Sequence, residues 1–261
     1  MLKRRDSVIY IDMPKADSEG ARVLDADEKE QYRDSMSSGM NTVGTMNVIF
    51  YALMAVFVVA ALLSTKWLFL GCAAVIVVRL AFPFLFNYNI YYDMDEKSSA
   101  EWNAAVSSFG EISRSDKVWL VRDGEKELVK ESRVLEPYKT TKNGINTNVP
   151  ICVFRAEHHA FMFMPDCMLS IGPGKDMIHF WNEIDPKVTV TQCPDGENTK
   201  DTRPSSSGGS GYEFGDIIID SGDARIGELI VSDRNKSDHA GNIIAGYIRE
   251  AADRHIAIKT V

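Results

Sequence analysis

The longest apolar stretch of the chain runs from Met46 to Phe86 and is interrupted by one lysine, Lys66. Each of its two halves has about 20 residues, and a helix of that length spans a hydrocarbon core of roughly 30 Å. Because the link around Lys66 is short, the two arms are expected to lie side by side and antiparallel. The pattern therefore predicts a two-helix transmembrane hairpin over residues 46–87.

The segments on either side of the hairpin have the mixture of polar and apolar residues that is typical of water-exposed protein. Residues 1–45 are predicted to form a polar N-terminal cytosolic tail, and residues 88–261 a soluble domain with a flexible loop at residues 194–211. Within the tail, a short apolar patch at Val8–Ile11 has two interpretations. It either adds an edge strand to the sheet of the domain or belongs to a flexible segment.

Periodicity after residue 88 predicts a domain that mixes helices and strands. Tyr88 to Met94 is a β-rich run, and Ser98 with Glu101 forms a capping box that opens a helix. The apolar stripe of that helix recurs every three or four residues, at Trp102, Ala105, Val106, Phe109 and Ile112. A second stripe predicts a closing C-terminal helix with Asp238 as its N-cap: Ile244, Tyr247, Ile248 and Ala251.

Between the two predicted helices, short apolar runs alternate with turn residues. Pro, Gly and Asp separate the predicted strands, which lie at residues 117–122, 151–154, 160–164, 168–171, 177–181 and 187–192. Such spacing favours antiparallel pairing of neighbouring strands. Residues 125–147 are charged and poorly periodic, so they are interpreted as a long exposed excursion. The predicted fold class is α+β, with the transmembrane hairpin followed by a soluble antiparallel-sheet domain.

A resemblance to a known family is carried by six residues: Thr147, Asn148, Pro150, Phe163, Pro165 and Asp166. They resemble the Thr-Asn and Phe-x-Pro-Asp pattern of an uncharacterised bacterial membrane-anchored domain family over residues 88–190, although Pro150 follows Asn148 more closely than the family pattern has it. The strand turns are also similar to those of bacterial pleckstrin-homology-like (PH-like) domains, in which a C-terminal helix closes a bent antiparallel sheet. The resemblance implies a PH-like fold and brings no established activity with it.

Charge and cysteine usage narrow the location and the partners. A net charge of −8 argues against nucleic acid as a partner and against attraction to anionic lipid headgroups. The four cysteines form no Cys-x-x-Cys motif and fit reduced thiols in the cytosol. The apolar run is too long and starts too late for a cleavable secretory signal, so the domain is expected to stay tethered. With the Lys3–Arg5 cluster, these features predict a two-pass integral protein of the bacterial inner (plasma) membrane with both termini cytoplasmic.

No group of residues in the sequence has the spacing of a common catalytic, cofactor or metal motif. His158 and His159 are adjacent, so on a strand they would point to opposite faces, and only a metal site assembled across the fold stays open. Residues 172–175 (Gly-Pro-Gly-Lys) lack the spacing of a phosphate-binding loop. Cys167 follows Asp166 with no base nearby in sequence, which disfavours a nucleophile. We therefore predict a non-enzymatic protein with no catalytic residue, cofactor or metal.

Arg79, in the second arm of the hairpin, is the candidate functional residue within the membrane. It either snorkels to the cytosolic headgroups, next to the helix break expected at Pro83, or lines a pore in a homo-oligomer. The first function that follows is a membrane-anchored interaction and sensing protein, whose PH-like domain docks a protein, a peptide or a lipid headgroup. The alternative is an oligomeric membrane effector that forms pores or disrupts membranes, for example in bacterial defence, and is gated by its soluble domain.

Overall fold

The computed structural model describes residues 8–13, 25–63, 67, 69–81, 87–141, 144–173, 177–192, 203–204, 212–222, 224–252 and 257–260. Among these residues the chain has four α-helices and three β-sheets, which confirms the α+β class. The helices are α1 (Ala26–Leu63), α2 (Phe69–Ala81), α3 (Glu96–Ile112) and α4 (Arg234–Ala252). Of the predicted loop at residues 194–211, only residues 203–204 are among the described residues.

The first sheet is small and joins segments that lie far apart in sequence. Its order is β15-β1-β2-β6, with β1 (Val8–Met13), β2 (Tyr88–Met94), β6 (Ile145–Thr147) and β15 (Ala257–Thr260). The apolar patch at residues 8–11 therefore forms a strand of the domain, but one that lies between two other strands rather than at the edge that the first interpretation expected. β1 pairs parallel with β2, and β2 parallel with β6, which differs from the predicted antiparallel pairing. Parallel neighbours need a long crossover, and α1 and α2 provide it between β1 and β2.

The second sheet is the antiparallel meander that the turn residues predict. Its order is β10-β9-β8-β7-β5, with β5 (Glu131–Leu135), β7 (Ile151–Arg155), β8 (Ala160–Phe163), β9 (Cys167–Ile171) and β10 (Met177–Phe180). One face packs toward α3 and α4 through Cys152, Phe154, Phe161, Phe163 and Met168. The other face packs toward α1 and the first sheet through Ile151, Val153, Met162, Leu169 and Ile178. Because both faces are buried there, the central strands β7, β8 and β9 are largely apolar rather than alternating.

The third sheet is also antiparallel and includes the two long paired strands at residues 212–221 and 224–231. Its order is β11-β13-β14-β3-β4, and β12 (Arg203–Pro204) pairs with β13. The strands are β3 (Val118–Arg122), β4 (Glu125–Leu128), β11 (Asp185–Gln192), β13 (Tyr212–Ser221) and β14 (Ala224–Val231). The interpretation of residues 125–147 as one exposed excursion is wrong, because β4, β5 and β6 lie there. β4 is an edge strand with a largely exposed sequence, Glu-Lys-Glu-Leu, so it has no apolar alternation to reveal it.

Helices α3 and α4 pack with the second and third sheets around one aromatic core. Every residue of both predicted stripes is buried, as the periodicity predicts. The Phe109 and Phe163 ring centroids lie 4.3 Å apart, and those of Trp102 and Tyr247 lie 5.1 Å apart. Close aromatic pairs of this kind add about 0.5–1.5 kcal/mol beyond the burial of their surface.

The predicted start of each of these two helices is wrong by a few residues. α3 begins at Glu96, because the side chain of Asp95 accepts a 2.8 Å hydrogen bond from the backbone N–H of Ser98. α4 begins at Arg234, and the Asp233 carboxylate accepts a 3.2 Å bond from the N–H of Lys236. Both aspartates precede the predicted caps and satisfy backbone donors that a helix leaves open at its first turn.

α1 has 38 residues and begins well before the apolar run, so it crosses the boundary at residue 45 without a break. By length and composition it is able to cross a membrane. α2 has 13 residues, or about 20 Å at 1.5 Å per residue, which is short of a bilayer core. The described residues thus contain one helix of sufficient length. Residues 64–66, 68 and 82–86 of the predicted hairpin lie outside them, and the likeness to PH-like domains stays a prediction.

Candidate functional site at the junction of helix α1 and the sheet domain

The first half of α1 belongs to the hydrophobic core of the domain. Four of its residues are buried and share one helix face: Tyr32, Met36, Gly39 and Val43. Their spacing of four, three and four residues is that of a continuous helical stripe. Tyr32, Met36 and Val43 are in one cluster with strands β2 and β6 of the first sheet and with one face of the second sheet. The helix that enters the apolar run is therefore a structural part of the sheet domain.

A polar clamp at Glu183 fixes the start of α1. This glutamate, at the end of the short 3₁₀ turn Trp181–Glu183, pairs with Lys29 Nζ at 3.3 Å and with Arg33 Nη2 at 2.6 Å. Arg33 Nε also donates a 3.1 Å hydrogen bond to the carbonyl oxygen of Ile178, on edge strand β10. Partial burial acts to raise the pKa of Glu183, but Arg33, Lys29 and a backbone N–H outweigh it and hold that pKa below its usual value.

The helix start also stacks on an aromatic ring. The rings of Tyr32 and Phe180 lie 5.1 Å apart, and the Arg33 guanidinium lies over the same Phe180 ring at 5.3 Å. A cation over an aromatic face contributes roughly 0.5–1 kcal/mol at sites of this exposure. The contact therefore fixes both the rotation and the height of α1 on the sheet.

Gly39 allows α1 to approach β2, the strand that follows the second arm of the predicted hairpin. A Cβ at residue 39 would overlap the ring of Tyr88, which is completely buried. Glycine is thus required at position 39 because a larger residue would not fit beside the ring, and not because of its backbone conformation. The two segments that join the domain to the apolar run, α1 and β2, meet at this point.

A buried polar cluster lies beneath the same part of α1. Tyr92 donates a 2.6 Å hydrogen bond to Asp166 Oδ1, and the Cys167 thiol lies 3.4 Å from the same oxygen. Tyr32 brings its hydroxyl to this cluster from α1. Desolvation raises the pKa of Asp166 and outweighs the hydroxyl groups of Tyr92 and Tyr32, which favour the carboxylate.

The thiol of Cys167 is placed for packing rather than for reaction. Burial, and then the charge of Asp166, raise the pKa of Cys167 well above its usual value. A nucleophilic cysteine needs a thiolate and access to a substrate. The structure brings Cys167 and Asp166 together with Tyr92, but in the interior of the domain.

Helices α1 and α2 pack closely on each other. A Cβ at Gly71 would lie 2.6 Å from two carbons of the Phe57 ring, and Cys72 and Ala61 are buried nearby in α2 and α1. Small residues at a helix crossing let two helix backbones approach, as in many membrane proteins. Arg79 lies in the last turn of α2 and is half-buried.

The two adjacent histidines lie in the turn between β7 and β8, outside the predicted strands. His158 is exposed and His159 is buried. Gly172 lies in the turn between β9 and β10, and residues 174–175 of the Gly-Pro-Gly-Lys run lie outside the described residues.

Sequence reasoning missed the docking of α1, although two patterns pointed to it. Asp25 and Glu28 form a reciprocal capping box, with Asp25 Oδ1 accepting from the N–H of Glu28 at 2.9 Å and Glu28 Oε2 from that of Asp25 at 3.1 Å. The stripe from Tyr32 to Val43 was the other pattern. Comparison with protein-family models, with curated proteins and with solved structures finds no match to this chain.

Proposed function

We propose that this chain is a membrane-anchored, non-enzymatic interaction and sensing protein whose sheet domain docks a protein, a peptide or a lipid headgroup. The observation that carries the proposal is the continuity of α1, which is core of the domain at one end and apolar and exposed at the other. A ligand that shifts the domain would move the apolar half of the helix with it, because no flexible joint separates the two.

The proposed anchor is a two-pass hairpin in the inner membrane, with both termini in the cytoplasm. From Met46 to Leu63, α1 is about 27 Å long, which is close to the thickness of a bilayer core. Apart from Arg79, the sequence is apolar from Phe69 to Phe86, so the second arm is long enough to return when its whole length is counted. The close packing of Gly71 on Phe57 supports two neighbouring arms.

Membrane topology is tested on the full chain expressed in bacteria. In a variant whose four native cysteines are replaced by alanine, single cysteines are introduced as Lys66→Cys in the predicted turn of the hairpin and Ser206→Cys in the predicted loop of the domain. In intact cells with a permeabilised outer membrane, a membrane-impermeant maleimide should label the first variant, and should label the second only after lysis. Release of the protein by alkaline carbonate would contradict the anchor, and the reverse labelling pattern would contradict the orientation.

The docking function requires the complete chain, because α1 covers one face of the second sheet. Full-length protein in nanodiscs is cross-linked in a native membrane extract and compared with Gly39→Leu, which disrupts the junction. Gly44→Leu is the matched control, since a Cβ there meets nothing within 4 Å. The proposal expects a partner that both wild type and the control enrich and that Gly39→Leu does not. Equal enrichment by all three proteins, or by none, would contradict it.

The alternative, an oligomeric membrane effector, is favoured by one surface of α1. A shallow groove of about 590 Å³ runs along its polar side, lined by Asp34, Ser37, Ser38, Asn41, Thr42, Thr45 and Met46. A second copy of α1 has the small side chains that such a groove accepts. In this function Arg79 faces a pore. Expression of the wild type should then depolarise cells and Arg79→Leu should not, whereas the anchor proposal expects an intact membrane potential with both.

A further inference from the structure

Three potential metal ligands meet at one end of the domain, far in sequence from the α1 junction. Glu125 and Glu127 lie on edge strand β4, two residues apart and therefore on the same side of the strand. His159 ends the turn between β7 and β8. One donor atom of each residue lies within 4.8 Å of the donors of the other two. Two ligands of one Zn²⁺ lie at most about 4.3 Å apart, so a shift of about half an ångström in the exposed Glu125 side chain brings the three donors within reach of one ion.

His159 is the residue that points to a ligand. Its side chain is 3% exposed, and its Nδ1 makes no hydrogen bond with any described residue. That nitrogen faces the cluster and lies 3.4 Å from Glu127 Oε2, a distance without the angle of a hydrogen bond. Buried imidazole nitrogens are normally satisfied, so an ion shared with the two glutamates gives this one a partner.

Glu127 is held in position by the same turn. Its Oε2 accepts backbone hydrogen bonds from His158 at 3.0 Å and from His159 at 3.2 Å. These two bonds fix the carboxylate beside the imidazole of His159, so that it faces the cluster. Glu125 is exposed, so its side chain is free to close over an ion.

The charges around the cluster favour a cation on balance. Arg122 is the nearby positive group, because a Cβ at Gly172 would lie 2.5 Å from its Nη1 and 2.7 Å from Cδ2 of His159. Its Nε is paired at 3.3 Å with the carboxylate of Asp123. The paired strands β3 and β4 and the turn between them thus supply three carboxylates, Asp123, Glu125 and Glu127, for this one guanidinium.

We propose that Glu125, Glu127 and His159 Nδ1 bind a divalent transition-metal ion, with Zn²⁺ as the reference ion. One imidazole and two carboxylates are a donor set for Zn²⁺ or Mn²⁺ rather than for Mg²⁺, which prefers oxygen ligands alone. Because β4 belongs to the third sheet and His159 to a turn of the second, the bound ion joins the two sheets. The site does not depend on the proposed membrane function.

The test uses the full-length protein in detergent, stripped of metal with a chelator, and titrated with Zn²⁺ by calorimetry. The wild type should bind one Zn²⁺ per chain and unfold at a higher temperature when the ion is present. Glu125→Gln should weaken Zn²⁺ binding at least about tenfold and leave the metal-free unfolding temperature unchanged, since this side chain is exposed. Glu157→Gln is the matched control, because that exposed acid pairs with Lys130 at 2.8 Å and lies outside the cluster.

A second variant separates a metal ligand from a structural histidine. His159→Gln should lose the response to Zn²⁺ whether or not it is less stable, and Mg²⁺ should give the wild type no comparable stabilisation. The proposal is overturned if the wild type shows no stoichiometric Zn²⁺ binding, or if Glu125→Gln and Glu157→Gln bind Zn²⁺ as tightly as the wild type.

Discussion

The ring of Tyr88 occupies the space into which any side chain at position 39 would extend. Gly39 lies on α1, before the apolar run, and Tyr88 lies on β2, after it. The contact therefore closes a loop of the chain that contains both apolar arms. It couples the entry and the exit of the predicted membrane hairpin directly to each other and to the domain core.

Gly39→Leu is expected to lower the free energy of unfolding by about 2–3 kcal/mol, because the new side chain cannot fit against a fully buried ring. Gly44→Leu, one and a half turns further along the same helix, should leave the stability unchanged or raise it by up to about 1 kcal/mol through helix propensity. Thermal unfolding of both proteins in the same detergent measures the difference. Equal stabilities would show that α1 does not rest on Tyr88.

Asp166→Asn is expected to change how stability depends on pH. Burial raises the pKa of Asp166 in the folded protein above its value of 3.8 in the unfolded chain, so the folded state binds the extra proton. Its contribution is complete below the unfolded pKa and is lost as the pH rises through the folded pKa. Between pH 4 and 8 the wild type should therefore lose stability relative to Asp166→Asn, measured as the difference between their unfolding free energies.

A companion variant distinguishes the charge of Asp166 from its hydrogen bond. Tyr92→Phe removes the 2.6 Å bond to the carboxyl and should lower stability by about 1–3 kcal/mol at low pH, where the acid is neutral. A pH-independent difference between wild type and Asp166→Asn would contradict a raised folded-state pKa.

A pair of buried carboxyl groups on the third sheet makes a separate pH prediction. Asp216 of β13 and Glu228 of β14 are both buried, at 5% and 7% exposure. Burial, and then the charge of Glu228, raise the pKa of Asp216 to about 7. Asp216→Asn should therefore be more stable than the wild type at pH 8 by about 1 kcal/mol or more, and the advantage should vanish near pH 4.

Glu228→Gln is the check on that cause. Removing the neighbouring charge should lower the pKa of Asp216 and flatten the same pH profile, even though Asp216 remains. If Glu228→Gln keeps the wild-type slope between pH 4 and 8, repulsion between the two carboxyls is not responsible. Urea unfolding of the detergent-solubilised proteins at several pH values gives the slopes.

The sequence predicted best those elements in which buried residues recur at a regular spacing within one continuous segment. The stripe from Trp102 to Ile112 and the meander after residue 150 are of this kind, because each element has its own apolar face. The start of α3 was missed because Asp95 competes with Ser98 for the same role, and only the backbone geometry decides between them.

Elements that depend on distant partners could not be read from local pattern. β1 is held by β2 and β15, which lie far along the chain, and β4 is a short polar strand. The residues of both candidate sites could not be predicted for the same reason. The role of Gly39 depends on its contact with Tyr88, and that of His159 on its contact with Glu127, and both contacts join residues that are distant in sequence.

In the proposed membrane anchor, the docked half of α1 also sets how far its apolar half extends into the bilayer. A shift of the helix along its axis by one turn is about 5.4 Å and would break both the contact of Tyr32 with Phe180 and that of Gly39 with Tyr88. A thinner or thicker bilayer must therefore be met by tilt of the helix or by local deformation of the lipid. Because the helix is continuous with the core, such tilt would strain the contacts between α1 and the domain. The conformation of the domain would then depend on the thickness of the surrounding membrane.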